Sequence, residues 1–219
     1  MSHDELLAVF DDQGRPLGAK PRSQVHTDGD WHWLVFVWAA RLDEPGQIRA
    51  LLQIRSRPGD PYLGSADAPA GGHVIAAETH LRGAQREFAE EVGIAIEEED
   101  LVYLGQGRLE NPAGVCRRVI EHFYLCRRPV GLEEVRFNEE AGGFAEVELE
   151  EFCGLLEGRR EKIRGLGRSA SSKEIHAVEL TPQALAAYPQ EILHEFRRSM
   201  QAIRAYLMQG RVDEGIFHP

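Results

Sequence analysis

Apolar positions fall first into short runs, then into one helical stripe, then into short runs again. Glu5 to Asp11 is a brief apolar run closed by Asp11-Asp12-Gln13-Gly14, with Pro16-Leu17-Gly18 just beyond, the pattern of an edge strand and hairpin. Lys20 to Asp30 is polar and is expected as loop. Trp31 to Arg41, WHWLVFVWAAR, is almost continuously aromatic and β-branched, which predicts a strand buried on both faces. Arg49 to Arg55 forms the next strand, and Pro58 to Pro69 is a proline- and glycine-rich loop. The period then changes. Leu81, Ala84, Phe88 and Val92 recur at three- and four-residue steps without an intervening proline, so an amphipathic helix is expected from Thr79 to Val92, stopped by Gly93. Leu101 to Leu109 and Val115 to Cys126 alternate as strands across the turn Asn111-Pro112-Ala113-Gly114. Glu146 to Leu149 is a short strand running into a helix over Glu150 to Leu156. A final helix, about Pro189 to Gln209, carries the stripe Ile192, Phe196, Met200, Ile203 and Leu207, suited to core packing or to a dimer interface. The order β-β-β-α-β-β-β-α places the chain in the α/β or α+β class.

The polar face of the first long helix carries the chemistry. Glu87, Glu90 and Glu91 lie three and four residues apart, so their carboxylates converge on one patch. Acids that close raise one another's pKa unless a positive charge sits among them. A hard divalent cation with oxygen ligands, magnesium or manganese, answers that need. Arg86 can reach back to Glu78 or forward to Glu90 and orient carboxylates through its planar fork. A solvated acidic face would explain the acids alone, but not the Gly71-Gly72 turn before the helix, the Arg-Glu pair and the closing glycine together.

Gly72-x5-Glu78-x7-Arg86-Glu87-Phe88-x-Glu90-Glu91-x-Gly93-Ile94 resembles the Nudix box at every fixed position over 23 residues. The departures are Phe88, where an aliphatic residue is usual, and Ala77, where a glycine often precedes the glutamate. The resemblance implies a Nudix α/β/α sandwich with a mixed sheet. It also implies a Mg²⁺-dependent hydrolase, with Mn²⁺ as the other candidate ion, acting on a nucleoside diphosphate linked to a group X or on a related diphosphate. It carries Glu87, Glu90 and Glu91 over as metal ligands, with the Gly72 carbonyl and a strand glutamate, Glu121, contributing; Glu139 and Glu140 compete for that last role. Glu87 and Glu90, with Arg86 and Glu78 as orienting residues, would form the catalytic set.

Composition narrows the partners. A net charge of −11 opposes nucleic-acid polymers, and no apolar run reaches membrane-spanning length. The N-terminus MSHDELLAVF lacks a basic signal-peptide region, and Cys116, Cys126 and Cys153 are widely spaced, so reduced thiols in a cytoplasm are expected. The division expected is a Nudix domain over 1–157, then a basic linker and a C-terminal helical extension packed on it over 158–219. Gly158 to Lys173 holds six basic residues, Arg159, Arg160, Lys162, Arg164, Arg168 and Lys173. Either it closes over a phosphorylated substrate, or it is the solvated linker that its glycines and serines favour.

A second resemblance concerns the N-terminal half. Val25-His26-Thr27, Trp31-His32-Trp33 and Gly71-Gly72-His73, with Glu121, are similar in place to the metal ligands of isopentenyl-diphosphate isomerase and of isomerase-like Nudix hydrolases. That isomerase needs a cysteine where Gly71 stands and a tyrosine that the segment Gly105 to Glu110 lacks. Isomerase activity and a non-catalytic Nudix binding module are therefore the secondary readings. His26, His32 and His73 are expected to shape the substrate pocket, with a second metal site as the alternative.

Overall fold

The computed structural model describes residues 5–111, 117–137, 141–172 and 174–217. Residues 112–114 of the expected turn, together with Val115, Cys116, Glu139, Glu140 and Lys173, lie outside the described residues. Among the described residues, eleven strands join one mixed sheet. The strand β3 (Trp31–Glu44) is its axis. It runs antiparallel to β4 (Gln47–Arg55) and to the short β6 (Ala70–His73), and parallel to β8 (Arg118–Cys126). β1 (Leu6–Phe10) and β2 (Pro16–Pro21) form the expected hairpin at one edge, and β7 (Leu101–Glu110) pairs with β8. β5 (Ala66–Asp67) adds a short pairing to β4.

Helices cover both faces, as the sandwich expectation required. α2 (His80–Glu91) starts at Thr79, whose side chain accepts from the Arg82 amide, and the chain leaves it through Gly93 at φ 76°. Its stripe, Ala84, Phe88 and Val92, packs with Val35, Val37 and Tyr124 in one buried cluster. On the other face, α3 (Leu149–Leu156) and α4 (Gln190–Gln209) bury Phe152, Phe196, Met200 and Ile203 against Trp38, Phe123 and Leu125. The stripe of the final helix therefore packs into the core of its own chain.

Three local expectations are corrected. The segment expected as loop after Lys20 contains α1 (Arg22–Asp28), ended by left-handed Gly29 and anchored by Val25 at 0% exposure beside Leu7 and Val9. The strand expected from Glu146 begins earlier, as β9 (Ala141–Glu148). The basic stretch expected as a mobile linker contains β10 (Ile163–Ser169), paired with β9 on one side and with β11 (His176–Leu180) on the other. Glycines explain how this happens. A Cβ at Gly165 would overlap the Glu146 carbonyl, and one at Gly167 would overlap Val178, so glycine is what admits the neighbouring strands. Arg159 pairs with Glu157, Arg160 with Glu151 and Lys162 with Glu179. Arg168 donates to the carbonyls of Leu132 and Val135. These charges are engaged locally.

Native-state hydrogen exchange tests the correction. The backbone amides of Ile163–Ser169 that bond to β9 and β11 should exchange orders of magnitude more slowly than an unfolded chain. Random-coil exchange across that segment would restore the linker.

Candidate functional site

The site lies where β6 meets α2. β6 lies antiparallel to β3, with Gly72 opposite Val35 and His73 opposite Leu34. A Cβ at Gly72 would overlap the Glu87 carboxylate, and a Cβ at Gly71 would stand 2.7 Å from the Phe36 ring. The two glycines thus let backbone, carboxylate and aromatic ring occupy one space.

Arg86 ties the acids together. Its Nη2 donates to Glu78 Oε1 at 2.6 Å and to the His73 carbonyl at 2.8 Å. Its Nη1 donates to Glu87 at 2.7 Å and to Glu90 at 3.3 Å. Glu78 also accepts from the Ile75 amide at 3.0 Å, so it caps the turn while holding the arginine. Glu91 points to β6 instead and accepts from the Gly71 amide at 2.9 Å. One guanidinium therefore serves three carboxylates, and the fourth depends on a backbone N–H.

That leaves negative charge under-compensated. Burial, opposed by Arg86, pushes Glu87 up to about 7. Burial, with the charge of Glu87 added, pushes Glu91 up to about 8 against the help of the Gly71 amide. Glu90 keeps 58% of its side chain exposed. The three acids open onto a cavity of about 1010 Å³, also lined by Arg22, Arg55, Arg57 and Arg117. Converging carboxylates, a nearby backbone turn and surrounding arginines form a donor set suited to a hard divalent cation and the anion it carries.

Glu121 lines the same cavity at 4% exposure. Burial, then the charge of Glu195, pushes it up to about 8; the other charges acting on it are Arg117 and Asp67 rather than the box acids. His26, His32 and His73 do come together, their ring nitrogens within 4.8 Å of one another. His26 Nε2 and His73 Nε2 are 3.0 Å apart, and both residues line the cavity; His32 lies behind them at 1% exposure. His32 Nδ1 faces the Asp30 carbonyl at 2.9 Å, while its Nε2 is buried without a hydrogen-bond partner. Burial drives His32 down to about 4 and His73 further, so these rings are neutral and able to ligate.

The profile of the NUDIX domain matches residues 13–168. The chain belongs to the NUDIX domain family. Nudix hydrolase 3 of Arabidopsis thaliana is 33% identical over 161 residues, covering 70% of this chain but 20% of that protein. An uncharacterized Nudix hydrolase of Clostridium acetobutylicum is 26% identical over 162 residues, covering 73% of this chain and 78% of the relative. The chain thus spans about a fifth of the first relative's length and most of the second's. The crystal structure of DR0079 from Deinococcus radiodurans shares the fold, with a TM-score of 0.52 at 18% identity over 70% of this chain and 90% of that one.

Several cavity residues escaped the sequence reading of this Nudix chain. Arg55, Asp67 and Tyr188 form one network: Tyr188 donates to Asp67 at 2.8 Å and Arg55 Nη1 donates to it at 2.9 Å. Asp67 and Tyr188 are separated by 121 residues, and no local spacing announces the pair. Arg117 stood beside a turn and carried no motif.

The raised carboxyls set a pH dependence. Glu87 and Glu91 hold protons more tightly when folded than at their ordinary 4.5, so folding binds protons between about pH 4.5 and 8. Below that window the two groups are protonated in both states and contribute nothing to the slope. In EDTA, thermal stability should therefore fall as pH rises from 5 to 8, and the double variant Glu87→Gln, Glu91→Gln should show a flatter profile. An unchanged slope in the double variant would show that these carboxyls are not strained by burial.

Proposed function

We propose that the protein is a divalent-metal-dependent pyrophosphohydrolase that cleaves the diphosphate linkage of a small molecule. The observation that carries this reading is the burial of Glu87 and Glu91 beside Glu90 on one cavity, with a single guanidinium among them. Glu87, Glu90, Glu91 and the Gly72 carbonyl would hold Mg²⁺, with Mn²⁺ the close substitute. A bound ion supplies charge neutralisation on the diphosphate oxygens and Lewis acidity at phosphorus. The protein's own groups do the rest. Arg86 and Glu78 fix the orientation of Glu87, and the cavity arginines receive the anion. Glu90, the most open of the acids, accepts the proton of the attacking water. The water oxygen bonds to phosphorus, the P–O–P linkage breaks, and the departing phosphate leaves with the bonding pair.

The two secondary readings fare worse. A binding module gains nothing from burying like charges. For isomerase chemistry, Gly71 supplies no thiol, and among the described residues neither Cys126 nor Cys153 lines the cavity. The substrates are small molecules on this reading, and the interior of the cell is the compartment we assign.

Glu91→Gln should fold normally, with its melting temperature within a few degrees of wild type. It should lose about two to four orders of magnitude in kcat with Mg²⁺ on whichever diphosphate proves active. Turnover close to wild type at saturating Mg²⁺ would remove Glu91 from the site.

A second, softer cation at His26, His32 and His73 is favoured by the orphaned His32 Nε2 and the close approach of the three ring nitrogens. Neutral imidazoles suit Zn²⁺ or Mn²⁺. Elemental analysis after dialysis against Zn²⁺ should find about one ion more per chain in wild type than in His32→Ala. Equal content in the two proteins would leave the histidines to pocket shaping.

A further inference from the structure

Away from the acids, the cavity has a wall of different chemistry. Leu34 and Phe36 of β3, Leu109 of β7, Val119 of β8 and Ile192 of α4 pack as one apolar cluster, and all five line the cavity. Strand pairing accounts for this. Residues 34 and 36 share one face of β3, Val119 sits opposite Leu109, and Glu121 sits opposite Leu34. From the far side, Tyr188, Ile192 and Phe196 close over the strands. These three lie beyond residue 168, where the family match ends. Tyr188 stacks on Tyr62 with ring centroids 4.6 Å apart, and its hydroxyl is committed to Asp67. Arg55 is held by Asp67 and by Asp60, so Arg55, Asp60, Asp67 and Tyr188 satisfy one another.

We propose that this wall holds the organic half of the substrate, and that this half is compact and apolar: a diphosphate ester of a hydrocarbon or aromatic alcohol, with Ile192 as a specificity-determining residue. The assignment rests on the diphosphate reading above. A ribose and base carry many donors and acceptors. Against the Leu34, Phe36, Leu109, Val119 and Ile192 side chains, most of those groups would lose water and gain no partner, an uncompensated cost. A hydrocarbon group gains by leaving water at the same place. Four of the five wall residues lie within residues 13–168, and Ile192, beyond that match, completes the wall, so selectivity is shared between β3, β7 and β8 and this chain's extension.

Two measurements on the full chain with Mg²⁺ keep the two readings apart. The first compares kcat/KM for n-hexyl diphosphate, benzyl diphosphate and ADP-ribose. The hydrocarbon esters should lead by tenfold or more, and a lead for ADP-ribose would overturn the assignment. The second uses calorimetry with methylenediphosphonate and its n-hexyl ester, which resist cleavage. The hexyl group should tighten binding by at least about tenfold. Ile192→Asn should remove most of that gain, whereas Ile192→Leu keeps it. If the hexyl gain appears but no diphosphate is cleaved, the hydrolase reading fails and the wall stands. If both ligands bind equally, or if Ile192→Asn leaves the gain intact, the wall assignment fails even for an active hydrolase.

Discussion

The site depends on one electrostatic constraint. Glu78, Glu87 and Glu90 share Arg86, and the burial of Glu91 is offset by the Gly71 amide and, more weakly, by the charge of Arg55. Every nearby element serves that crowding. Gly71 and Gly72 give up side chains so that β6 can lie against Phe36 and the Glu87 carboxylate. Phe88, at 0% exposure, pins the opposite side of α2 to the sheet and so fixes the height of the acids above β6. With Arg86 bonded to the His73 carbonyl, strand and helix are joined through the same guanidinium that organises the carboxylates. Removing that fork would leave the largely buried Glu78 and Glu87 without their shared guanidinium at once, which is why its loss would be felt well beyond one ion pair.

The far wall of the cavity is built by long-range contacts. α4 packs on the sheet with Phe196 edge-on to Trp38, and Tyr188 reaches Asp67 at the end of β5 and Tyr62 on the loop before it. The C-terminal part thus packs on the sheet face opposite α2, and the two meet through the strands they share. Cleavage chemistry and selection of the organic group are assigned to different parts of the chain, the box on one side and the extension with β3, β7 and β8 on the other.

Legibility in the sequence followed the range of the interactions. The box helix was readable because periodicity, the Thr79 cap and the Gly93 stop all act within a few residues. β3 was readable because burial on both faces leaves an unbroken apolar run. β10 was not, because its glycines are selected by the approach of β9 and β11 rather than by any local propensity, and its arginines resemble a solvated run. α1 was missed since a helix of seven residues with one buried side chain has almost no periodic signal. The histidine trio gathers positions 26, 32 and 73, which the second resemblance had grouped but spacing alone could not. Arg55, Asp67 and Tyr188 had no signal at all, because their network exists only in three dimensions.

The central claim is that burial makes Glu87 and Glu91 hold protons more tightly than usual, and that a divalent cation bound there replaces them. Titration calorimetry of Mg²⁺ at pH 7, run in two buffers of different ionisation enthalpy, counts the protons released on binding. With Glu87 and Glu91 raised to about 7 and about 8, binding should expel roughly one proton or more per ion, and fewer as the pH approaches 9. Mg²⁺ binding without proton release at pH 7, or no Mg²⁺ binding at all, would contradict the account.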